Sequence, residues 1–103
     1  MEIDAEFLSG HDLAVYTATW CPDCTRLKRW LGTTGLQTRD VNIENVDGAA
    51  EKLEEETGKR AIPFVLVDGK HWVRGYHKEL PQRFDPKLFL GELRQALAQG
   101  QAK

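Results

Sequence analysis

Apolar positions in this chain fall into short runs separated by polar turns, and the spacing changes from run to run. Leu13-Ala14-Val15-Tyr16 is a continuous apolar stretch after Gly10-His11-Asp12, as expected of a strand buried on both faces. Immediately after it, Leu27, Trp30, Leu31 and Thr34 recur at helical intervals. Pro22 suits the first position of that helix, where its missing N–H has no intrahelical role, and Gly32-Thr33-Thr34-Gly35 ends it. Upstream, Ile3, Phe7 and Leu8 predict a short helical turn that breaks at Ser9-Gly10.

Val41 and Ile43 share one side of a half-buried strand over 38–43, and Glu44 to Gly58 reads as a second helix. Asp47 lies near its start, Ala49, Ala50 and Leu53 share one face, and Glu51, Glu54, Glu55 and Glu56 line a solvated side. Asp68-Gly69 then separates two apolar runs, Pro63 to Val67 and Lys70 to Val73, which is a strong hairpin signal. His71 and Trp72 are expected on the exposed side of that hairpin. Arg74 to Phe84 is polar and reads as a loop. Pro86 opens a last helix whose Leu90, Leu93 and Leu97 form a stripe with Phe89 and Ala96, and fraying is expected from Gln99.

The order strand, helix, strand, helix, strand, strand, helix demands a right-handed β-α-β crossover followed by an antiparallel hairpin in the same sheet. The predicted fold class is α/β: a three-layer sandwich with a mixed four-stranded sheet flanked by helices. With 103 residues, 41% of them apolar, the chain is expected to form a single domain over 1–103. A formal net charge of -2 supplies no basic field for nucleic acid. Ile62 to Val67, the longest near-apolar run, is far below the ~18 residues of a membrane span. The acidic start Met1 to Glu6 lacks the features of a signal peptide, so a cytoplasmic protein is expected.

The chemistry concentrates in Cys21-Pro22-Asp23-Cys24, which holds both cysteines of the chain. Closely spaced cysteines do not staple a secreted mini-protein and fit a reducing compartment better. Cys21 is placed at a helix N-terminus, where unpaired N–H groups and the positive end of the dipole favour thiolate over thiol. Such settings lower a cysteine pKa from ~8.5 into a range of about 3.5 to 7.5. Cys21 is therefore expected to lie open to water and attack, while Cys24, a turn later beside Leu27, is more buried and resolves the mixed disulfide. Asp23 sets a negative charge against the dipole. Trp20 is expected to shield the sulfur and shape a substrate groove, and Lys59 and Arg60 can pair a carboxylate of a ligand. Two alternatives stand beside thiol chemistry. One is a zinc- or copper-binding module, although only His11, His71 and His77 remain as further ligands and show no ligand spacing. The other is a non-catalytic interaction domain.

Cys21-Pro22-Asp23-Cys24 after a first strand, Ala61-Ile62-Pro63 before a third and Asp68-Gly69 in the hairpin resemble a glutaredoxin of the thioredoxin superfamily over about residues 13 to 98. Tyr16-Thr17, Trp20-Cys21-Pro22 and Arg26-Leu27-Lys28 are most similar to bacterial mycoredoxin-like and ribonucleotide-reductase-donor glutaredoxins. The resemblance implies a thioredoxin-like fold with Pro63 cis against the disulfide, and backbone at Ile62 that pairs with substrate. It further implies a monomer with no bound cofactor, acting on protein or glutathione-mixed disulfides, with glutathione or a thioredoxin reductase as electron source. Trp20, Pro22, Arg60, Ile62, Pro63, Gly75 and Tyr76 are the implied substrate-binding positions. The chain departs from the family in three places. Ala18-Thr19-Trp20 lacks the lysine common before the first cysteine, Asp23 replaces a usual tyrosine, and Arg74-Gly75-Tyr76-His77-Lys78 stands where a Gly-Gly-acidic pattern is usual.

Overall fold

A computed structural model describes residues 6–101, so the expected turn at Ile3 lies outside the described residues. A short 3-10 turn, Glu6–Leu8, precedes β1 (Leu13–Thr17), α1 (Pro22–Thr34), β2 (Arg39–Asn42), α2 (Ala49–Thr57), β3 (Phe64–Val67), β4 (His71–Arg74) and α3 (Pro86–Gln101). The strands form one sheet in the order β2-β1-β3-β4. β1 and β2 are parallel, pairing Ala14 with Arg39, while β3 is antiparallel to both β1 and β4, pairing Val15 with Val65 and Val65 with Val73. This is the mixed four-stranded sheet expected from the element order.

Alternation along the strands sorts the two faces. Leu13 and Val15 of β1, with Val65 and Val67 of β3, join Leu27 and Leu31 of α1 and Phe89, Leu90 and Leu93 of α3 in one buried cluster. Ala14, Tyr16, Phe64 and Leu66 point the other way, onto Ala49 and Leu53 of α2. Each face is thus closed by helices, which makes the three layers.

The second helix begins later than its sequence pattern predicts. Glu44 to Gly48 forms turns instead, with the amides of Asn45 and Val46 both bonding to the Asn42 carbonyl at 3.0 Å. Gly48 then enters α2 at φ 82, a left-handed conformation open to glycine, and Asp47 provides no side-chain cap. Asp68 (φ 56) and Gly69 (φ 70) turn the hairpin. Trp72, expected on its exposed side, is half-buried: it packs 4.9 Å from the Tyr16 ring and 6.2 Å from Phe64, and its Nε1 donates to Glu56 at 2.7 Å. His71 is half-buried as well. α3 continues past Gln99, where the sequence predicts fraying, to Gln101. No helix among the described residues is long and apolar enough to cross a membrane.

Candidate active site

β1 ends at Thr17, and four residues later the chain turns into α1 with Cys21 as its N-cap and Pro22 as its first helical residue. Cys21 takes the extended backbone of an N-cap (φ -96, ψ 108), and its Sγ accepts the amide of Cys24 at 3.1 Å. A sulfur here takes the role that Ser, Thr or Asp fills at most helix starts, so one of the helix's orphan donors is spent on it. The two cysteines are joined as a disulfide, with Cα atoms 5.2 Å apart.

Their surroundings are apolar. Ala18 is buried beside the pair, and Ile43, following β2, and Ile62, preceding β3, pack against it. The Ile62-Pro63 peptide bond is cis. Cys24 is 1% exposed and Cys21 6%. Cys21 is therefore the more accessible sulfur, but in the disulfide form it is nearly covered rather than open to water, because these apolar neighbours close over the pair.

Trp20 is 71% exposed, the most exposed large hydrophobic side chain described, and its Nε1 donates to Glu44 at 3.1 Å. Glu44 also accepts the Thr19 amide at 2.9 Å, and these bonds, the backbone one foremost, lower its pKa. The indole thus stands at the rim beside Cys21, tethered to the turn after β2.

Other expected positions behave differently. Arg60 is exposed but paired within the chain, its Nε and Nη2 on Glu54 at 3.1 and 2.9 Å. Tyr76 is 4% exposed, its ring 5.9 Å from Phe64, so in this structure it packs in the core rather than standing at the surface. Two residues past the end of β4, it joins the buried cluster formed with Phe64, Ala49 and Leu53 on the α2 side of the sheet. Gly75 is a packing position: its amide donates to the Pro63 carbonyl at 2.8 Å, and a Cβ would meet Leu27 Cδ2 at 2.5 Å.

Asp23 does not stand as a free negative charge. Arg83 approaches it with two prongs, Nε at 3.1 Å and Nη2 at 2.7 Å from Oδ2, and Arg26 Nη1 lies 2.6 Å from Oδ1. The Arg83 guanidinium, with Arg26 beside it, holds the Asp23 carboxyl below the usual carboxylate range against the opposing effect of partial burial. Arg83 has no motif and lies 60 residues away in sequence, so pattern and spacing offered no signal for it. Among the described residues no group of three or more His, Cys, Asp or Glu side chains is arranged to hold a metal ion. His11 is paired with Asp68 at 2.6 Å, and His77 is fully buried.

Comparison with known proteins agrees with this geometry. The family model for glutaredoxin matches residues 13–72. A glutaredoxin of Vernicia fordii is 32% identical over 69 residues, covering 64% of this chain and 66% of the relative. A buckwheat glutaredoxin, solved in complex with glutathione, superposes with a TM-score of 0.52 at 26% identity, over 64% of this chain and 63% of that one. A glutaredoxin from Archaeoglobus fulgidus, at 21% identity, shares the fold over 90% of this chain and 97% of that one, with a TM-score of 0.61. The chain thus spans about two-thirds of the length of the plant relatives. Both cysteines, the cis proline and the hairpin turn lie inside the matched segment, and the chain belongs to the glutaredoxin family.

Proposed function

We propose that this chain is a thiol-disulfide oxidoreductase that reduces protein or glutathione-mixed disulfides through Cys21 and Cys24. The observation that carries this is the Cys24 amide donating to Cys21 Sγ at a helix N-terminus, because the same donor and dipole stabilise a thiolate there once the pair is reduced. The Cys21 thiolate attacks one sulfur of the substrate disulfide. A mixed disulfide forms and the other substrate sulfur leaves as a thiolate that takes a proton from water. Cys24 loses its proton and attacks Cys21, so the second substrate thiol is released and the Cys21–Cys24 disulfide is restored. Two electrons pass from the dithiol to the substrate. They return from two molecules of glutathione or from a flavin-dependent thioredoxin reductase.

Membership of the family and the glutathione bound to the buckwheat relative support glutathione as one partner. The Gly-Gly-acidic pattern is replaced here by Gly75-Tyr76-His77-Lys78, with Tyr76 and His77 buried, and this supports a reductase-fed dithiol donor. Coupled NADPH assays with each reducing system test both. Wild type is expected to turn over with at least one, and Cys21→Ser to abolish it. Cys24→Ser retains activity on glutathione-mixed disulfides if glutathione is the reductant and loses it if a reductase is. No turnover of wild type in either system rejects the proposal.

A further inference from the structure

The loop over 75–85 between β4 and α3 lies beyond residues 13–72 matched by the glutaredoxin family model, and it reaches back to the helix that carries the cysteines. Its shape is fixed by a closed set of backbone bonds: Leu80 N to His77 O at 3.1 Å, Arg83 N to Leu80 O at 3.0 Å and His77 N to Arg83 O at 2.8 Å. The buried His77 ring holds the end of the loop, its Nδ1 accepting the Asp85 amide at 3.2 Å and its face stacked on Phe84 at 5.7 Å. Phe84 in turn meets Trp30 of α1 edge-on at 5.8 Å. Arg83 sits at φ 63, a backbone conformation uncommon outside glycine, and at that point its guanidinium takes both oxygens of Asp23. A residue held in this conformation by surrounding bonds points to a positional requirement on its side chain.

We propose that Arg83 is a positioning residue for the Cys21 thiolate: by clamping Asp23 it cancels the negative charge set between the two cysteines and locks loop 75–85 onto the first turn of α1. The inference rests on the oxidoreductase reading and explains how the CPDC sequence remains compatible with it. Without the clamp, Asp23 opposes the same helix N-terminus that favours ionised sulfur. Arg26, on α1 itself, supplies a second cation but touches Asp23 through one nitrogen, whereas Arg83 binds through two. The ionisable groups of the surrounding elements are engaged elsewhere: His77, in the same loop, is buried with its Nε2 3.6 Å from Glu92 Oε1 of α3. Glu44, after β2, is bound to Thr19 and Trp20. Tyr76 is buried under Lys78, whose Nζ lies 5.9 Å from the ring, and Arg60, before β3, is paired with Glu54. The Ile62-Pro63 segment brings no charge.

The test is the pH dependence of Cys21 alkylation by iodoacetamide in the reduced protein, located by peptide sequencing, in wild type, R83Q, R83K, D23N and D23N/R83Q. R83Q is expected to raise the midpoint by about half a unit, a roughly threefold slower alkylation at pH values below it. R83K, which keeps the charge without the two-pronged hold, recovers part of the shift. D23N lowers the midpoint, and adding R83Q to it moves the midpoint by less than R83Q does in wild type. An unchanged midpoint in R83Q overturns the proposal. So does an equal shift in the D23N background, which would make Arg83 a mere nearby charge. Wild-type Cys21 alkylating no faster than an ordinary free thiol would count against the oxidoreductase reading instead, and the difference between wild type and R83Q is read independently of that.

Discussion

Gly75 lies so close to Leu27 that a Cβ built on it would be 2.5 Å from Leu27 Cδ2, with Pro63 Cγ at 3.2 Å on the other side. The active-site helix, the cis-proline segment and the end of β4 therefore meet at a point where only a hydrogen fits. Leu27 is fully buried and has little room to turn away. Gly75→Ala is expected to cost about 1–3 kcal/mol, the usual range for overpacking a filled core. Urea denaturation checks this, and an unchanged midpoint would mean that α1 shifts freely against Pro63.

A second expectation concerns acid. Asp23 titrates below its ordinary value because Arg83 and Arg26 stabilise its charged form. A carboxylate with a depressed folded pKa contributes stability that is fully present above its unfolded value, ~3.9, and is lost as pH falls through the folded value. Wild type should therefore lose stability below about pH 4 more steeply than D23N. The difference is at most about 1 kcal/mol, since both arginines are nearly half exposed and solvent screens the pair. Urea midpoints measured from pH 6 down to 2 give the two slopes, and parallel slopes would remove the ion pair from the stability of the fold.

Much of this architecture is legible from local pattern. β1, α1 and the hairpin follow from an apolar run, a proline-opened helix and Asp68-Gly69, because each depends on residues adjacent in sequence. The late start of α2 is not legible: helical spacing reaches back to Glu44, but the turn after β2 folds back on Asn42 and Gly48 enters the helix in a left-handed conformation. Tyr76 and Trp72 were equally hidden, since an aromatic at a hairpin end faces solvent or core according to what the far helix leaves uncovered. The cysteine pair and Ile62-Pro63 could be located from motif and resemblance. The Arg83 contact could not, because it joins two segments through a loop whose shape is set by a buried histidine.

The hairpin turn allows backbone and side-chain contributions to be separated at one position. Asp68 has φ 56, accepts the Asp12 amide at 2.9 Å through Oδ1, and meets His11 Nδ1 at 2.6 Å through Oδ2. Asp68→Ala loses those bonds and places an unfavourable residue in the left-handed region, a penalty of about 1–2 kcal/mol. Asp68→Gly loses the same bonds but relaxes the backbone. The alanine variant is expected to be the less stable of the two by about 1 kcal/mol in thermal or urea unfolding. Equal stabilities would show that the turn adapts to alanine by changing its conformation.

Trp20 allows the stability of the fold to be tested apart from the substrate contact proposed at its rim. At 71% exposure it contributes little burial, and its bond to Glu44 is at the surface, so Trp20→Ala should change unfolding free energy by less than about 0.5 kcal/mol. On the proposed function, its position directly before Cys21 would set an aromatic surface beside the path of a protein substrate to the nearly covered sulfur. Tryptophans buried at the centre of an interface are among the residues that carry most of its binding energy, and if the indole is covered in this way its loss is expected to cost about 2 kcal/mol, roughly a thirtyfold rise in KM. A small symmetrical disulfide has no surface to lay against the indole, so its kcat/KM should change by no more than about twofold. The two substrates measured side by side on the variant separate the possibilities: equal losses on both would indicate that Trp20 acts on the sulfur itself, and no loss on either would make it a bystander at the rim.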